Sequence, residues 1–305
     1  TSGKSEGIYM YQFNPDSATL HFSSVAKSSN PSFLAISPNK KFLYAVYENA
    51  DSTQHLVTGK VAAFSIDGNS LKPINQQLSM GKHPCHVAID QTGKWLVVCN
   101  YTSGNFAVLP ILNDGSIGEA VKTIQFEGKS IEPNRQKSTH THSALFTPNN
   151  KGLLVQDLGI DKIFYYNFNQ TTGEITPSNP PFVATIAGSG PRHISFHPTK
   201  PIVYVIEELS NTITVIQKEK IVQRISSVPT NYNGSAGAAD IHVSKDGKFV
   251  YASNRSTSNT IGVFAINKKT GWLSLVQHIS TNGNTPRNFT LDPTENYLLV
   301  ANQKS

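Results

Sequence analysis

Two arginines in similar short motifs give the first clue to a binding site in this chain. Arg192 lies in a Gly-Pro-Arg-His motif (residues 190–193), and Arg287 lies in a Pro-Arg-Asn motif (residues 286–288). A guanidinium group binds a phosphate or a carboxylate through two parallel hydrogen bonds. Many arginines only form a salt bridge that stabilises the fold. The same residue type in two matching motifs nevertheless favours a site for an anion.

His142 and the adjacent acids Glu207 and Glu208 are candidates for proton transfer. A neutral imidazole can take a proton from water or from a substrate near pH 7. Glu208 could act as a general base, or it could hold an arginine or a histidine in place. Glu207 competes with it for either role. Asp157, in a Gln-Asp-Leu-Gly motif, is expected to cap a turn.

The motifs for metals and common cofactors are missing from the sequence. His140 and His142 place two imidazoles on one face of a strand, but a third ligand at a fixed spacing is lacking. There is no phosphate-binding loop, no dinucleotide fingerprint and no Gly-x-Ser-x-Gly nucleophile motif. We therefore predict no metal site and no cofactor.

Charge and composition limit the partners of the protein. The formal net charge is +6, but the basic residues are scattered singly rather than in runs. This pattern favours a solvated basic surface over a nucleic-acid site, and the predicted partner is the anionic small molecule that Arg192 and Arg287 suggest. No apolar stretch approaches the ~20 residues of a membrane span, so no membrane association is predicted. Cys85 and Cys99 do not form a disulfide framework, although one bridge stays open. We expect a cytoplasmic protein, or a periplasmic one if a leader was removed, and the oligomeric state stays open.

A repeat runs through the whole chain. Each copy has a short strand, a turn that is often rich in Pro, Asp, Lys or Gly, and a second strand rich in Tyr, Leu and Val. The six copies begin at residues 31, 84, 141, 191, 238 and 286. Their spacing is slightly above the ~40–50 residues of typical propeller blades. Two further strand-like segments follow most copies, which gives a four-stranded unit.

These features predict an all-β fold, a seven-bladed β-propeller of four-stranded antiparallel blades that forms one domain over residues 1–305. Residues 8–13 and 20–22 read as the third and fourth strands of a partial N-terminal unit. The sixth copy stops after its second strand, so we expect the last blade to be incomplete and several C-terminal strands to be missing. A parallel α/β fold is excluded because no helical periodicity separates the strands.

Equivalent positions of the repeat should form rings, because the first strand of each propeller blade lines the central channel. The residues after the leading position differ in chemical type from copy to copy, whereas a purely structural ring would repeat small or apolar residues. They are Ser32, Cys85, His142, Arg192, Ala239 and Arg287, followed by Phe33, His86, Ser143, His193, Asp240 and Asn288. This polar asymmetry predicts a functional site in the channel.

The ends of the second strands form two more candidate rings. One contains Glu207 and Asn254, and the other contains Glu208 and Arg255. Adjacent strand residues point to opposite faces, so the sequence does not decide which ring faces inward.

Several of these segments together resemble the lactonase family of seven-bladed propellers. They include residues 1–13, 141–166, 190–198, 208–209, 251–264, 286–293 and 298–303, so the resemblance covers nearly the whole chain. The family includes a bacterial 6-phosphogluconolactonase and a fungal 3-carboxy-cis,cis-muconate cyclase. The resemblance therefore implies either hydrolysis of a sugar lactone or cyclisation of a dicarboxylate.

The resemblance also implies roles for single residues. His142, Glu208 and Arg255 match a histidine, a glutamate and an arginine of the family. We predict a hydrolase of a sugar lactone, most simply 6-phosphogluconolactone, with His142, Glu208, Arg192 and Arg255 as catalytic residues. The predicted substrate-binding residues are Arg287, His86, His193 and Asn254. The alternatives are a muconate-type cycloisomerase and a propeller that only binds partners, although no loop is rich in the apolar residues that a binding platform would expose.

Overall fold

The computed structural model describes residues 5–53 and 56–305, and 24 β-strands account for its regular structure. No helix in these two ranges is both long and apolar enough to cross a membrane. The strands are β1 Gly7–Asn14, β2 Thr19–Lys27, β3 Pro31–Ile36, β4 Phe42–Thr53, β5 Leu56–Asp67, β6 Ser70–Leu78, β7 Pro84–Ile89, β8 Trp95–Asn100, β9 Asn105–Pro110, β10 Lys122–Gln125, β11 Thr141–Phe146, β12 Gly152–Asp157, β13 Lys162–Phe168, β14 Ile175–Ala184, β15 Pro191–Phe196, β16 Ile202–Glu207, β17 Thr212–Gln217, β18 Lys220–Ser226, β19 Ala238–Val243, β20 Phe249–Asn254, β21 Thr260–Ile266, β22 Leu273–Ser280, β23 Pro286–Leu291 and β24 Leu298–Asn302.

The strands form sheets in simple chain order. Five sheets have four strands, namely β3–β6, β7–β10, β11–β14, β15–β18 and β19–β22. Two sheets have two strands, β1–β2 and β23–β24. The first strands begin at residues 31, 84, 141, 191, 238 and 286, which confirms the predicted repeat in every copy. The last predicted blade has two strands in the described residues, as expected for an incomplete blade.

A side-chain oxygen closes the turn between the first and second strands of most sheets. Asp90 accepts a hydrogen bond from the backbone N–H of Trp95 at 2.9 Å, and Ser37 accepts one from Phe42 at 3.0 Å. The same bond recurs from Gly152 to Thr147, from Phe249 to Ser244 and from Tyr297 to Asp292. Short polar side chains favour such turns because they satisfy backbone donors that would otherwise lack partners. The turn chemistry of the repeat therefore has a structural cause.

A β-bulge lies near the start of the first strand in most copies. In β15 the pairing with β16 shifts register between Pro191 and His193, which places Arg192 in the bulge. The same shift occurs at Arg287 in β23, at Ser32 in β3 and at Cys85 in β7. Bulges re-aim a side chain and occur often beside active sites. In these four strands the candidate ring residue therefore occupies the irregular position.

The described chain divides into two compact units, which are treated separately below. The first unit comprises Thr1–Lys129, Ser138–Val155 and Tyr165–Ser178, and the second comprises Ser130–Lys137, Gln156–Phe164 and Asn179–Ser305. Each has its own apolar core, such as Tyr44, Val98 and Leu109 in the first unit, and Tyr204, Val215 and Phe264 in the second. Burying each such side chain contributes about 1.5–3 kcal/mol, so alternating apolar positions hold the sheets together. The single domain over residues 1–305 stays a prediction.

Candidate active site

One buried carboxylate, that of Glu208, pairs with three arginines of the second unit. Its Oε1 lies 2.6 Å from Nη2 of Arg135. Its Oε2 lies 2.9 Å from Nε of Arg192 and 2.8 Å from Nη2 of Arg255. We call these four residues the arginine cluster. Three guanidinium groups face one carboxylate, so the arginine cluster has a net charge of +2.

The arginines control the ionisation of Glu208. Burial by itself would raise the pKa of this carboxyl, but Arg255, Arg192 and Arg135 together lower the pKa of Glu208 to about 2. A carboxylate with so low a pKa binds a proton weakly. Glu208 is therefore an anion at neutral pH that orients the three guanidinium groups, and these contacts favour the orienting role over that of a general base.

Arg192 is the most deeply buried member of the cluster, with 2% of its side chain exposed. Its position in the β15 bulge directs the guanidinium toward the neighbouring first strand, where Nη1 donates a hydrogen bond to the carbonyl of Ala239. Nη1 also lies 3.2 Å from Nε2 of His193. Burial first, then Arg255 and Arg287, lowers the pKa of Arg192 to about 9, which still leaves it protonated at neutral pH. A fixed, charged and nearly dry guanidinium is suited to stabilise negative charge.

Asp240 forms the centre of a second buried network beside Arg192. Its Oδ1 lies 2.8 Å from Nδ1 of His193, and its Oδ2 accepts hydrogen bonds from Nδ2 of Asn288 at 2.6 Å and from Nε2 of His242 at 3.1 Å. Burial first, then Arg192, lowers the pKa of His193 to about 4. His193 is thus neutral at pH 7. Nδ1–H of His193 donates a hydrogen bond to Asp240, so Nε2 of His193 can accept one from Nη1 of Arg192. Asp240 and His193 together therefore orient Arg192.

Glu208 and Arg255 occupy equivalent places directly after second strands. The backbone N–H of Glu208 donates to the carbonyl of Gly190 at 2.8 Å, and that of Arg255 donates to Gly237 at 3.0 Å. Nε of Arg255 also donates to Gly237 at 3.0 Å, whereas its Nη1 makes no hydrogen bond to any residue in the described ranges. These backbone bonds fix both side chains against the start of the first strand. The ring that contains Glu208 and Arg255 is therefore the one that meets Arg192.

The loop before Arg192 is held by Asp161. The carboxylate of Asp161 accepts hydrogen bonds from the backbone N–H groups of Gly188 at 2.8 Å and Gly190 at 2.7 Å, and from the hydroxyl of Ser130. Gly190 has a φ of +65°, and a Cβ there would lie 2.7 Å from Cγ of Leu209. Glycine is therefore required where the chain turns into β15.

Arg135 was missed by the sequence analysis because it lies outside the repeat. It belongs to an irregular segment before β11, and 73 residues separate it from Glu208. The adjacent Gln136 is fully buried, donates to the carbonyl of Leu158 at 2.8 Å and accepts from the N–H of Glu132 at 3.1 Å. The sequence of this segment carries no repeat or motif that marks Arg135, because the burial and hydrogen bonds of Gln136 are visible only in the structure.

Glu207 lies in a different environment from its neighbour. Its carboxylate accepts hydrogen bonds from Nη2 of Arg224 at 2.6 Å, from Thr214 at 2.9 Å and from Ser210 at 3.3 Å. Burial raises its pKa, and Arg224, Thr214 and Ser210 only partly oppose this effect. Glu207 thus belongs to an internal network of β16–β18 rather than to the arginine cluster.

Two further predicted residues of the second unit differ in surroundings. Arg287 is half-buried in the β23 bulge, where its charge lowers the pKa of Arg192 and of His193. Asn254 is buried, exchanges two hydrogen bonds of 2.7 Å with Ser227 and donates a longer one to Thr260. These contacts favour a structural role for Asn254 and keep Arg287 within the electrostatic field of the site.

The first unit contains the predicted residues His142 and His86, both nearly fully buried. Tyr101 packs its ring edge-on at 5.6 Å from His142 and stacks at 4.4 Å on His140. His86 packs on Phe33 at 4.2 Å. Such aromatic contacts fix the orientation of an imidazole. Neither Cys85 nor Cys99 takes part in a disulfide in the described residues, so the bridge that the sequence left open is not formed.

The remaining polar residues do not assemble a metal site. Within residues 5–53 and 56–305, no group of three or more His, Cys, Asp or Glu side chains could hold a metal ion. Asp157, expected to cap a turn, accepts a hydrogen bond of 2.9 Å from the N–H of Gly159.

Comparison with known families identifies the fold. The sequence model described as "Lactonase, 7-bladed beta-propeller" matches residues 1–305. The chain belongs to the lactonase family of seven-bladed β-propellers. This confirms the predicted fold class and the resemblance on which the residue roles were based.

Individual members of the lactonase family are similar over nearly all of the chain. A 6-phosphogluconolactonase of Bacillus subtilis is 37% identical over 314 residues, covering 100% of this chain and 86% of the relative. A 6-phosphogluconolactonase of Formosa agariphila is 38% identical over 310 residues, covering 98% of this chain and 86% of the relative. The solved structure of a periplasmic gluconolactonase of Pseudomonas aeruginosa has a TM-score of 0.91 at 32% identity, covering 99% of this chain and 87% of that one.

Proposed function

We propose that this protein is a lactone hydrolase that converts 6-phosphogluconolactone to 6-phosphogluconate. The observation that carries the proposal is the arginine cluster, in which Arg135, Arg192 and Arg255 surround one carboxylate and leave an excess of positive charge. A phosphorylated sugar lactone is an anion and develops a further negative charge during hydrolysis. The two similar proteins described above, from Bacillus subtilis and Formosa agariphila, carry the name of this activity.

Hydrolysis of the lactone proceeds by attack of water on its carbonyl carbon. A base removes a proton from the water, and the carbonyl oxygen becomes negatively charged in the tetrahedral intermediate. The bond from this carbon to the ring oxygen then breaks, and the ring oxygen receives a proton as the open acid forms. Sugar lactones open readily, so moderate contributions suffice: about 10²–10⁴-fold from acid–base help and a comparable factor from oxyanion stabilisation.

In this proposal Arg192 and Arg255 stabilise the developing oxyanion. Both carry fixed charge, and Nη1 of Arg255 makes no hydrogen bond to another described residue. Glu208 keeps the two guanidinium groups in place. A general base at Glu208 would have to give up contacts with three arginines and would bind the proton with a pKa of about 2. Of the two roles that the sequence left open for Glu208, we therefore propose that of an orienting anion.

His142 remains the proposed base. A neutral imidazole can accept a proton from the attacking water, and this is the role that we propose for His142. The match of His142 to a histidine of the family supports this role, as does the aromatic packing that holds its ring against Tyr101. Arg287 and His193 are proposed to act on the substrate through the charge and orientation of Arg192, and His86 is kept as a proposed contact of the substrate.

Catalysis in the cytoplasm is part of the proposal, because a phosphorylated sugar does not cross a membrane unaided. Cell fractionation with an antibody to the protein tests it. Recovery in the periplasmic fraction would instead favour an unphosphorylated lactone, the kind of substrate named for the similar Pseudomonas aeruginosa protein.

The deciding experiment measures 6-phosphogluconolactone hydrolysis beside spontaneous hydrolysis in the same buffer. We expect acceleration by the protein, loss of turnover in His142→Ala and loss in Arg192→Ala, each with an unchanged circular dichroism spectrum. Retained turnover in His142→Ala would move the base to another residue. No acceleration by folded protein would overturn the proposal, and muconate substrates and then partner binding would be tested next.

A further inference from the structure

Arg135 differs from the other members of the arginine cluster in exposure and in origin. About half of its side chain is accessible, with 43% exposed, against 2% for Arg192 and 13% for Arg255. Arg192 and Arg255 also donate to backbone carbonyls at the starts of first strands, namely those of Ala239 and Gly237. Arg135 comes from an irregular segment instead. The cluster therefore has a buried side and one accessible cation.

The segment that carries Arg135 is held in a defined conformation. The side chain of Gln136 accepts a hydrogen bond from the backbone N–H of Glu132 and donates one to the carbonyl of Leu158. The backbone carbonyl of Gln136 accepts a third, from the N–H of Ser130 at 3.0 Å. Ser130 also donates to Asp161, whose carboxylate holds Gly188 and Gly190 before β15. One acid thus connects the segment of Arg135 to the strand of Arg192. The distance between the two arginines is set by buried contacts rather than by a free loop.

Charge distinguishes what each side of the cluster can bind. The lactone carbonyl is neutral until the transition state, so it requires donors that are dry and fixed, as Arg192 is. A phosphate is already doubly charged before the reaction begins, and a guanidinium group that the substrate can reach binds it through charge-assisted hydrogen bonds. Nη2 of Arg135 donates to Glu208, and 43% of the Arg135 side chain is exposed, so a ligand can reach this guanidinium group from solvent.

We infer that Arg135 is the specificity-determining residue that selects a phosphorylated lactone over its unphosphorylated counterpart. This inference rests on the proposed lactonase function. The activities named for two similar proteins, 6-phosphogluconolactonase and gluconolactonase, differ by this one phosphate. Arg135 binds the phosphate, whereas Arg192 and Arg255 act at the carbonyl that both substrates share.

The test compares two substrates, 6-phosphogluconolactone and glucono-δ-lactone, in wild type and in Arg135→Gln. Loss of a charge-assisted contact should lower kcat/KM for the phosphorylated lactone by about 10- to 100-fold, mainly through KM. The kcat/KM for glucono-δ-lactone should change by less than about threefold, because this substrate has no phosphate for Arg135 to bind. Arg135→Lys, which keeps the charge but loses the planar fork, should restore part of the preference.

Arg224→Gln is the matched control, because Arg224 also pairs with a buried glutamate of the same unit at 2.6 Å but lies outside the arginine cluster. It should leave the ratio of the two kcat/KM values unchanged. Arg287→Gln tests the rival arginine. Equal losses on both substrates in Arg135→Gln, no loss on either, or loss of the preference in Arg287→Gln alone would each overturn the inference.

Calorimetric titration with 6-phosphogluconate and with gluconate separates this inference from the proposed function. If the wild type hydrolyses neither lactone, the proposed function fails, and binding still tests Arg135. Tighter binding of 6-phosphogluconate than of gluconate, with the difference removed in Arg135→Gln, supports the role in phosphate recognition. Binding of neither ligand, or a difference that survives in the variant, contradicts it.

Discussion

Glu207 and Glu208 are consecutive, both buried and both paired with arginine, yet their pKa values shift in opposite directions. Burial raises the pKa of Glu207, because one arginine and two hydroxyls do not offset it. Burial acts on Glu208 as well, but three arginines lower the pKa to about 2. The number of neighbouring arginines, rather than burial, therefore explains why the pKa of Glu207 is raised and that of Glu208 is lowered. Adjacent residues of one strand end can therefore serve unrelated purposes, since they point to opposite faces.

The largest difference is expected when each glutamate is replaced by its neutral isostere. Glu208→Gln leaves three buried or half-buried guanidinium groups to repel one another, so the free energy of unfolding should fall by about 3–5 kcal/mol. Glu207→Gln should cost about 1 kcal/mol or less, because its raised pKa means that the fold already disfavours the charge. Urea denaturation of both variants measures the two values, and equal losses would remove the distinction between the two acids.

The acid dependence of stability should show the same contrast. The folded pKa of Glu208 is about 2, below the ordinary value of 4.5, so its stabilisation is complete above pH 4.5. That stabilisation should be lost as the pH falls from 4.5 toward 2, by up to about 3 kcal/mol. Glu207 has the opposite sign, since a raised pKa makes protonation favour the folded state. In Glu208→Gln, denaturation midpoints between pH 4.5 and 2 should decline less than in wild type. A decline as steep as that of wild type would contradict the assignment.

His193 gives a second window at higher pH. Its folded pKa of about 4 lies below the ordinary 6.5, so the unfolded state binds a proton first as the pH falls. Stability should therefore decrease between pH 6.5 and 4, by up to about 3 kcal/mol, and His193→Gln should flatten this part of the curve. Unfolding midpoints at half-unit pH steps are the measurement. An unchanged slope in the variant would mean that another group titrates there.

The smallest effect is expected in the network around Glu207. Thr214→Val removes the 2.9 Å hydrogen bond to Glu207 and should cost about 1 kcal/mol of stability. Because this network lies outside the arginine cluster, kcat/KM for the lactone should not change. A loss of activity without a loss of stability in Thr214→Val would show that the two acids are functionally coupled.

The fold was accessible from the sequence because each repeat carries the same local signals. Alternating apolar residues and the capping side chains at Ser37, Asp90 and Asp292 are all close in sequence to the turns they close. Alignment of the repeats also placed Arg192 and Arg287 at equivalent positions, and in the structure both residues lie in the β-bulge of a first strand.

The site could be predicted only in part, since its decisive contacts are long-range. The choice between Glu207 and Glu208 required the direction of each side chain at the end of β16. Alternation along a strand shows that the two side chains point to opposite faces, but it does not show which face meets the site. Arg135 lies in a segment without a repeat, and its bond to Glu208 depends on how buried Gln136 and Asp161 hold that segment. The hydrogen bond from Ser227 to Asn254 is also long-range, since the two residues lie 27 positions apart in the sequence, and the substrate-binding role of Asn254 stays a prediction.

The most direct test of the arginine cluster as the catalytic anion site is kcat/KM for 6-phosphogluconolactone in Arg255→Ala against Arg224→Ala. Both variants remove a guanidinium that pairs with a buried glutamate of the second unit. We predict that Arg255→Ala loses transition-state stabilisation of about 2–5 kcal/mol, or at least about 30-fold in rate, while Arg224→Ala keeps the wild-type rate. Equal rates in the two folded variants would contradict it.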